Sequence, residues 1–131
     1  MKPNQIFFLG TFILFISYGS TAQQKIEQAN VAKSWVVEKM TVNGEVDDEN
    51  YPTNHDPLDL KNDGTFYTKD NLYNYEQTGK WELAEGNMIK LVDGESGEVK
   101  RLLIINITDE EMATQVLDTD EKIEIFWKVR K

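Results

Sequence analysis

The stretch Asp63-Gly64-Thr65-Phe66 places a turn glycine directly before an aromatic residue that begins a run of alternating apolar and polar residues. Gly79-Lys80-Trp81 repeats the arrangement further along the chain, and we interpret its glycine as a turn residue too. Asn, Asp and Gly tolerate the positive φ angles of tight hairpin turns, and a hydrophobic period of two indicates strands. The two stretches therefore predict a meandering antiparallel sheet.

Alternation with a period of two covers most of the chain after Trp35 and predicts eight strands. These are residues 35–42, 58–61, 65–68, 77–84, 88–92, 99–107, 112–117 and 122–131. The connections leave no room for a crossover helix, so we expect an all-β, eight-stranded antiparallel up-and-down barrel, with a β-sandwich as the competing architecture. Residues 24–34 have helical spacing instead, which permits a short N-terminal helix or an irregular lead-in.

Two segments depart from simple alternation. Residues 99–107 are apolar at successive positions from Leu102 to Ile105, which predicts a strand covered on both faces or one that passes beneath the N-terminal segment. Residues 45–57 are rich in acids, contain two prolines and offer almost nothing to bury, so we expect an excursion at one end of the sheet.

Residues 1–22 have the three-part layout of a secretory signal peptide. Lys2 gives the positive start, residues 6–16 form an apolar run too short to span a membrane, and Ser20-Thr21-Ala22 supplies small residues for cleavage. We expect cleavage after Ala22 and export to the periplasm or the outside of the cell. The alternatives are an uncleaved anchor and a buried core helix. Because the chain has no cysteine, a lipid anchor on cysteine is excluded.

The segment 23–131 is then a single domain of 109 residues. Lys2 is the only charged residue removed, so 13 basic and 23 acidic residues remain, with a formal charge of −10. This balance argues against nucleic acid as a partner and against an anionic membrane surface, because both bind mainly through clustered cations. We expect no membrane insertion after cleavage. Without disulfides, a closed sheet would satisfy its strand edges by pairing.

Several short motifs between about residues 32 and 129 occur together. They are Trp35, Leu58-x-Leu60 followed by residues 63–66, Gly79-x-Trp81, Ile89-x-Leu91, the strand end at residues 104–109, and an aromatic final strand through Trp127. In this combination the chain resembles the small lipocalin-like domains of bacterial secreted proteins. Lys33-Ser34-Trp35 replaces the Gly-x-Trp signature at the first strand, which points to the broad lipocalin-like group rather than to the ligand-carrying lipocalins.

The resemblance implies an up-and-down barrel with its first tryptophan near the floor, and binding of a small apolar molecule. The corresponding candidate contacts in the barrel interior and at its mouth are Trp35, Phe66, Tyr67, Tyr75, Trp81 and Trp127. The alternative for the tryptophans is core packing, since they share a register with aliphatic neighbours. The alternative for the tyrosines is the anchoring of loops.

Catalytic and metal-binding patterns have no support in the sequence. His55 is the only histidine, and it has no evident nucleophile or further zinc ligands nearby. Acids at residues 47–49 with Asp56, and at residues 118–121, could hold calcium, but both groups lack EF-hand spacing. The interior positions read as apolar. We therefore expect no metal, no cofactor and no catalysis, and predict a non-enzymatic barrel that binds a small molecule or is structural. The alternative is an exported interaction or inhibitor module that acts through its long acidic loops.

Overall fold

The computed structural model describes residues 26–47 and 55–130, and these are nearly all in β-strands. The elements are α1 (Gln28–Val31), β1 (Ser34–Val42), β2 (Glu45–Val46), β3 (Pro57–Leu60), β4 (Thr65–Asp70), β5 (Tyr75–Ala84), β6 (Met88–Asp93), β7 (Val99–Ile107), β8 (Glu111–Val116) and β9 (Ile123–Val129). The predicted signal peptide, residues 1–22, lies outside the described residues.

Eight of these strands form a closed antiparallel barrel. From β3 to β9 each strand pairs with the next, β3 also pairs with β1, and β9 returns to pair with β1. The predicted barrel and its short N-terminal helix are therefore confirmed. The sequence missed the ninth strand, β2, which pairs with Thr41 and Val42 after a turn at Asn43 and Gly44, both with positive φ.

The two ends of the barrel differ in what covers them. At one end, which we call the closed end, α1 lies beside the short connections at residues 61–64, 85–87 and 108–110. We call the other end the open end. It carries the connections at residues 71–74, 94–98 and 117–122, and the connection from β2 to β3. Residues 48–54 of that last connection, most of the predicted excursion, lie outside the described residues.

The core is packed from α1 towards the middle of the barrel. Trp35 and Val31 are fully buried, and the Trp35 indole N–H donates a hydrogen bond of 2.9 Å to the Val31 carbonyl oxygen. The other buried apolar residues are Val37, Leu58, Leu60, Phe66, Trp81, Ile89, Leu91, Leu102, Ile104, Ile107, Met112 and Trp127. They come from all eight barrel strands, so one core holds the sheet together.

Only one of the two glycines in the opening motifs is a turn residue. Gly64 has a φ of +87° and lies in the turn before β4, as predicted. Gly79 lies inside β5, paired with Phe66 of β4, so its interpretation as a turn residue was wrong. A Cβ at Gly79 would overlap the Val92 carbonyl oxygen and lie 2.8 Å from the Phe66 ring. This glycine is needed because the Val92 carbonyl oxygen and the Phe66 ring occupy the space that a side chain would fill.

The expectation that β7 is covered on both faces was also wrong. Leu102 and Ile104 are buried in the barrel, whereas Ile105 is 51% exposed. The pairing with β8 skips Ile105, which forms a β-bulge and returns Ile107 to the interior. The bulge shifts the register by one residue, so the buried positions are 102, 104 and 107, and the exposed Ile105 lies between them.

Candidate ligand cavity

A cavity of about 400 Å³ lies inside the barrel and reaches its open end. Its lining comes from β3 to β9 and from the connections after β6 and β8. The lining residues are Leu58, Phe66, Thr68, Gln77, Leu91, Asp93, Glu98, Val99, Lys100, Leu102, Val116, Leu117, Asp118, Thr119, Ile125 and Trp127. The barrel is therefore packed at the closed end and hollow towards the open end.

The inner part of the cavity is apolar and held firmly in place. Phe66 and Trp127, two of the six predicted contact residues, both line it, and they are 5% and 6% exposed. The Trp127 indole N–H donates a 2.9 Å hydrogen bond to the hydroxyl of Thr114, which is itself fully buried. Thr114 in turn donates to the Ile125 carbonyl oxygen at 3.3 Å. These bonds fix the orientation of the Trp127 ring against the cavity.

The outer part of the cavity is polar, which the sequence analysis did not expect. Thr68 follows Phe66 by two residues, Asp93 follows Leu91, and Lys100 precedes Leu102, so each lies at an inward position of its strand. Gln77, paired with Thr68, completes this group. The prediction of an apolar interior thus holds only for the inner part. Strand alternation, followed to the strand ends, was the signal that could have identified these residues.

Asp93 is held at the cavity mouth by hydrogen bonds. Its Oδ2 accepts from the backbone N–H groups of Glu95 and Ser96, at 3.0 and 2.7 Å, and from the Ser96 hydroxyl at 3.0 Å. Its Oδ1 accepts from Gln77 Nε2 at 3.4 Å. The bonds from Ser96 hold the pKa of Asp93 below its ordinary value, because they stabilise the charged form. A fixed negative charge therefore stands at the rim.

A second carboxylate at the mouth, that of Asp118, has a cationic partner. Arg101 donates hydrogen bonds from Nε and from one terminal nitrogen to the two carboxylate oxygens of Asp118. This bidentate pair lowers the pKa of Asp118 and raises that of Arg101. The pair joins β7 to the connection after β8 and so fixes one side of the opening.

Trp35 and Trp81, predicted as candidate contacts, do not line the cavity. Trp35 lies at the closed end beneath α1, fully buried. Trp81 is 4% exposed, and its indole N–H donates to the Lys61 carbonyl oxygen at 2.7 Å, while its backbone N–H donates to Gly64 at 2.8 Å. Both rings pack the core and hold the closed end, which matches the core-packing alternative.

The two predicted tyrosines also lie away from the cavity lining. Tyr67 lies between the inward residues Phe66 and Thr68, so it faces outward, and its hydroxyl donates to Glu76 Oε2 at 2.6 Å. That bond raises the pKa of Tyr67 above its ordinary value. Tyr75 is 56% exposed at the start of β5, beyond Gln77. Strand alternation explains both positions.

The candidate metal ligands are dispersed or engaged with the protein. Asp56 is buried and its Oδ1 accepts from the backbone N–H of Asn71 at 2.9 Å, while the neighbouring His55 is exposed. Asp118 is paired with Arg101. Residues 26–47 and 55–130 contain no group of three or more His, Cys, Asp or Glu side chains that could hold a metal ion. The acids at residues 48 and 49 lie outside these ranges.

No protein-family model matches this chain, and searches of curated proteins and of solved structures return no match. In the part of the chain that the structure describes, no helix has the length and apolar character needed to cross a membrane.

Proposed function

We propose that this protein binds a small, predominantly apolar molecule in the barrel cavity. The observation that carries the proposal is the cavity itself, about 400 Å³ in volume, with an apolar inner part and polar groups at the rim. Ligand pockets in proteins fall in the range of about 300–1,000 Å³ and combine apolar walls with a few polar groups in the same way. Phe66 and Trp127 are the aromatic contacts for such a ligand.

The electrostatics of the rim favour binding rather than catalysis. A carboxyl group that acts as a general acid near neutral pH needs a raised pKa. The pKa values of Asp93 and Asp118 are both lowered instead, by hydrogen bonds from Ser96 and from Arg101. We therefore include the absence of enzymatic activity in the proposal.

We further propose that the protein is exported and belongs among the lipocalin-like domains. The layout of residues 1–22 supports export, and the closed barrel with Trp35 at its closed end supports the resemblance. Mass spectrometry of the protein from a secreting host should find Gln23 as the first residue. An intact N-terminus would contradict the export proposal. The alternative of an interaction module stays a prediction, because most of the acidic excursion lies outside the described residues.

The cavity proposal can be tested by filling the cavity from one wall. Val116 lines it on β8, and the next residue back, Gln115, lies on the opposite face of the strand. We expect Val116→Trp to weaken binding of the neutral apolar dye N-phenyl-1-naphthylamine about tenfold, the effect of losing about 60 Å² of apolar contact. Gln115→Trp is the matched control and should leave the affinity unchanged.

Dye fluorescence and quenching of tryptophan emission provide the two readouts. Because Trp127 lines the cavity, Trp127→Phe should reduce the quenching, while Trp35 and Trp81 still report the folded state. Equal effects of Val116→Trp and Gln115→Trp, or no binding to the unaltered protein, would contradict the proposal.

A further inference from the structure

The polar side chains that lie on strands of the cavity are on one side of its mouth. Thr68, Gln77, Asp93 and Lys100 come from the consecutive strands β4 to β7, whereas the strand residues Val116 and Ile125 line the opposite side on β8 and β9. On that opposite side the polar lining residues are Asp118 and Thr119, in the connection after β8. Among the strand residues, a molecule that fills the cavity would thus contact apolar groups on one side of its outer end and polar groups on the other. Such a mouth offers different partners to ligands that differ in their polar group.

Asp93 is the best-placed partner for such a group. Its Oδ2 accepts three hydrogen bonds, whereas its Oδ1 accepts one, the 3.4 Å bond from Gln77. An ionised carboxylate can accept about four hydrogen bonds, two at each oxygen. Oδ1 thus keeps acceptor capacity within the cavity lining, and the turn at Glu95 and Ser96 prevents the carboxylate from moving away.

The remaining charges at the mouth favour a cation over an anion. Asp118 is neutralised by Arg101, which leaves Asp93 and Glu98 as the carboxylates against the one ammonium group, Lys100, that lines the cavity. Lys100 is exposed, and its long side chain can keep its charge in water away from a bound cation. Asp93 has no such freedom. The whole chain adds a formal charge of −9.

We propose that the cavity selects apolar molecules that carry an amine over molecules of the same size that carry a carboxylate. This inference rests on the proposed ligand-binding function. The ammonium group would lie at the mouth beside Asp93 Oδ1 and Glu98, with the apolar part directed towards Phe66 and Trp127.

Three probes of one chain length test this selectivity, namely octylamine, octanol and octanoate. Each probe is added in competition with N-phenyl-1-naphthylamine bound to the purified protein, at neutral pH and low ionic strength. We expect the amine to bind tightest and the carboxylate weakest, with about a fivefold ratio between them, as expected for about 1 kcal/mol of partly exposed charge interaction. Raising the salt from about 0.01 M to about 1 M should reduce this ratio.

The outcomes separate the two proposals. Equal affinities, or a preference for octanoate, would overturn the selectivity while leaving the ligand-binding function supported. Failure of all three probes and of the dye would contradict the binding function and the selectivity with it.

A matched pair of variants locates the selectivity at the mouth. Glu98 lines the cavity, while Glu95 is an exposed residue of the same connection and does not line it. Glu98→Gln should lower the amine-to-carboxylate ratio about twofold, whereas Glu95→Gln, with the same change in net charge, should leave it unchanged. Lys100→Gln should raise the ratio. Equal effects of the two glutamate variants would show that the amine is attracted by the charge of the whole surface. That result would contradict selectivity at the cavity mouth.

Discussion

At the closed end of the barrel, Trp35 is fully buried and hydrogen-bonded to α1, and Trp81 is anchored to the turn before β4. At the open end, β4 and β6 present Thr68 and Asp93 to a cavity of about 400 Å³. The backbone geometry is continuous between the two ends, and the difference lies in the inward side chains. Large apolar residues fill one end, and smaller or polar residues leave space at the other.

This contrast indicates that stability and binding depend on different ends of the barrel. Most of the buried apolar residues do not line the cavity, and burial of apolar surface is the main favourable contribution to folding. The open end contributes less to packing and has side chains that can contact a ligand. Substitutions at the two ends should therefore have different consequences.

The largest expected effect is the loss of stability on truncating the closed end. Trp35→Ala removes a fully buried indole and its bond to Val31, and should lower the free energy of unfolding by about 3–5 kcal/mol in urea titrations. Val116→Ala, at the wall of the cavity, should cost about 1 kcal/mol, since its side chain is only half-buried. Equal losses would contradict the division into a packed and a hollow end.

A smaller effect is expected at Gly79, where the packed and hollow parts meet. Gly79→Ala would place a methyl group against the Val92 carbonyl oxygen and the Phe66 ring, and should cost about 1–3 kcal/mol of stability. Because Phe66 lines the cavity, dye affinity should fall as well.

Gly86→Ala is the control for Gly79→Ala. Gly86 has a φ of +81° and open space around it, so alanine there should cost about 1 kcal/mol through backbone strain and leave dye affinity unchanged. If both variants impaired dye binding equally, the contact between Gly79 and Phe66 would not shape the cavity.

The smallest effects concern pH, and they compare an aspartate from each end. Asp63 accepts hydrogen bonds from Thr65 and Asp93 accepts them from Ser96, and in each case these bonds lower the pKa from 3.8. A pKa that is lowered in the folded state stabilises the fold at pH values above the ordinary pKa. This contribution is lost as the pH falls through the folded-state pKa. The backbone amide resonances of Thr65 and Ser96 should therefore shift below pH 3.8.

A bound amine should separate these two titrations. Octylamine at the mouth should lower the pH of the Ser96 transition further, because it stabilises the ionised form of Asp93, and should leave that of Thr65 unchanged. Asp93→Asn should abolish the Ser96 transition. A uniform response of Thr65 and Ser96 to octylamine would contradict binding at the open end.

Most of the fold could be predicted because its main signal is local. Alternation at Ile89 and Leu91, and along β9 to Trp127, predicts strands that the structure confirms, and Ile89, Leu91 and Trp127 are buried. The positive φ of Gly64 follows from its turn. The role of Gly79 could not be predicted locally, because it depends on Val92 and Phe66, which lie on the two neighbouring strands. The bulge at Ile105 depends likewise on pairing with β8.

The candidate site was predicted less completely. Aromatic residues are the natural candidates for ligand contacts, but indoles such as Trp35 and Trp81 are also the side chains that fill a small core best. Phe66 and Trp127 are distinguished from these indoles by their position along the barrel axis. That position depends on how the strands are staggered when the barrel closes. The rim residues Gln77 and Asp93 were overlooked because the interior was treated as uniformly apolar.

The pairing of β9 with β1 also sets an order for how the molecule can form. Every other contact between barrel strands joins neighbours along the chain, and the growing polypeptide can make these in sequence. The partner of Trp35 across this seam is Val129, more than ninety residues later. Until β9 has been synthesised, β1 and β8 each present an unpaired edge that invites pairing with other chains. Completion of the last strand thus converts an aggregation-prone open sheet into a closed barrel.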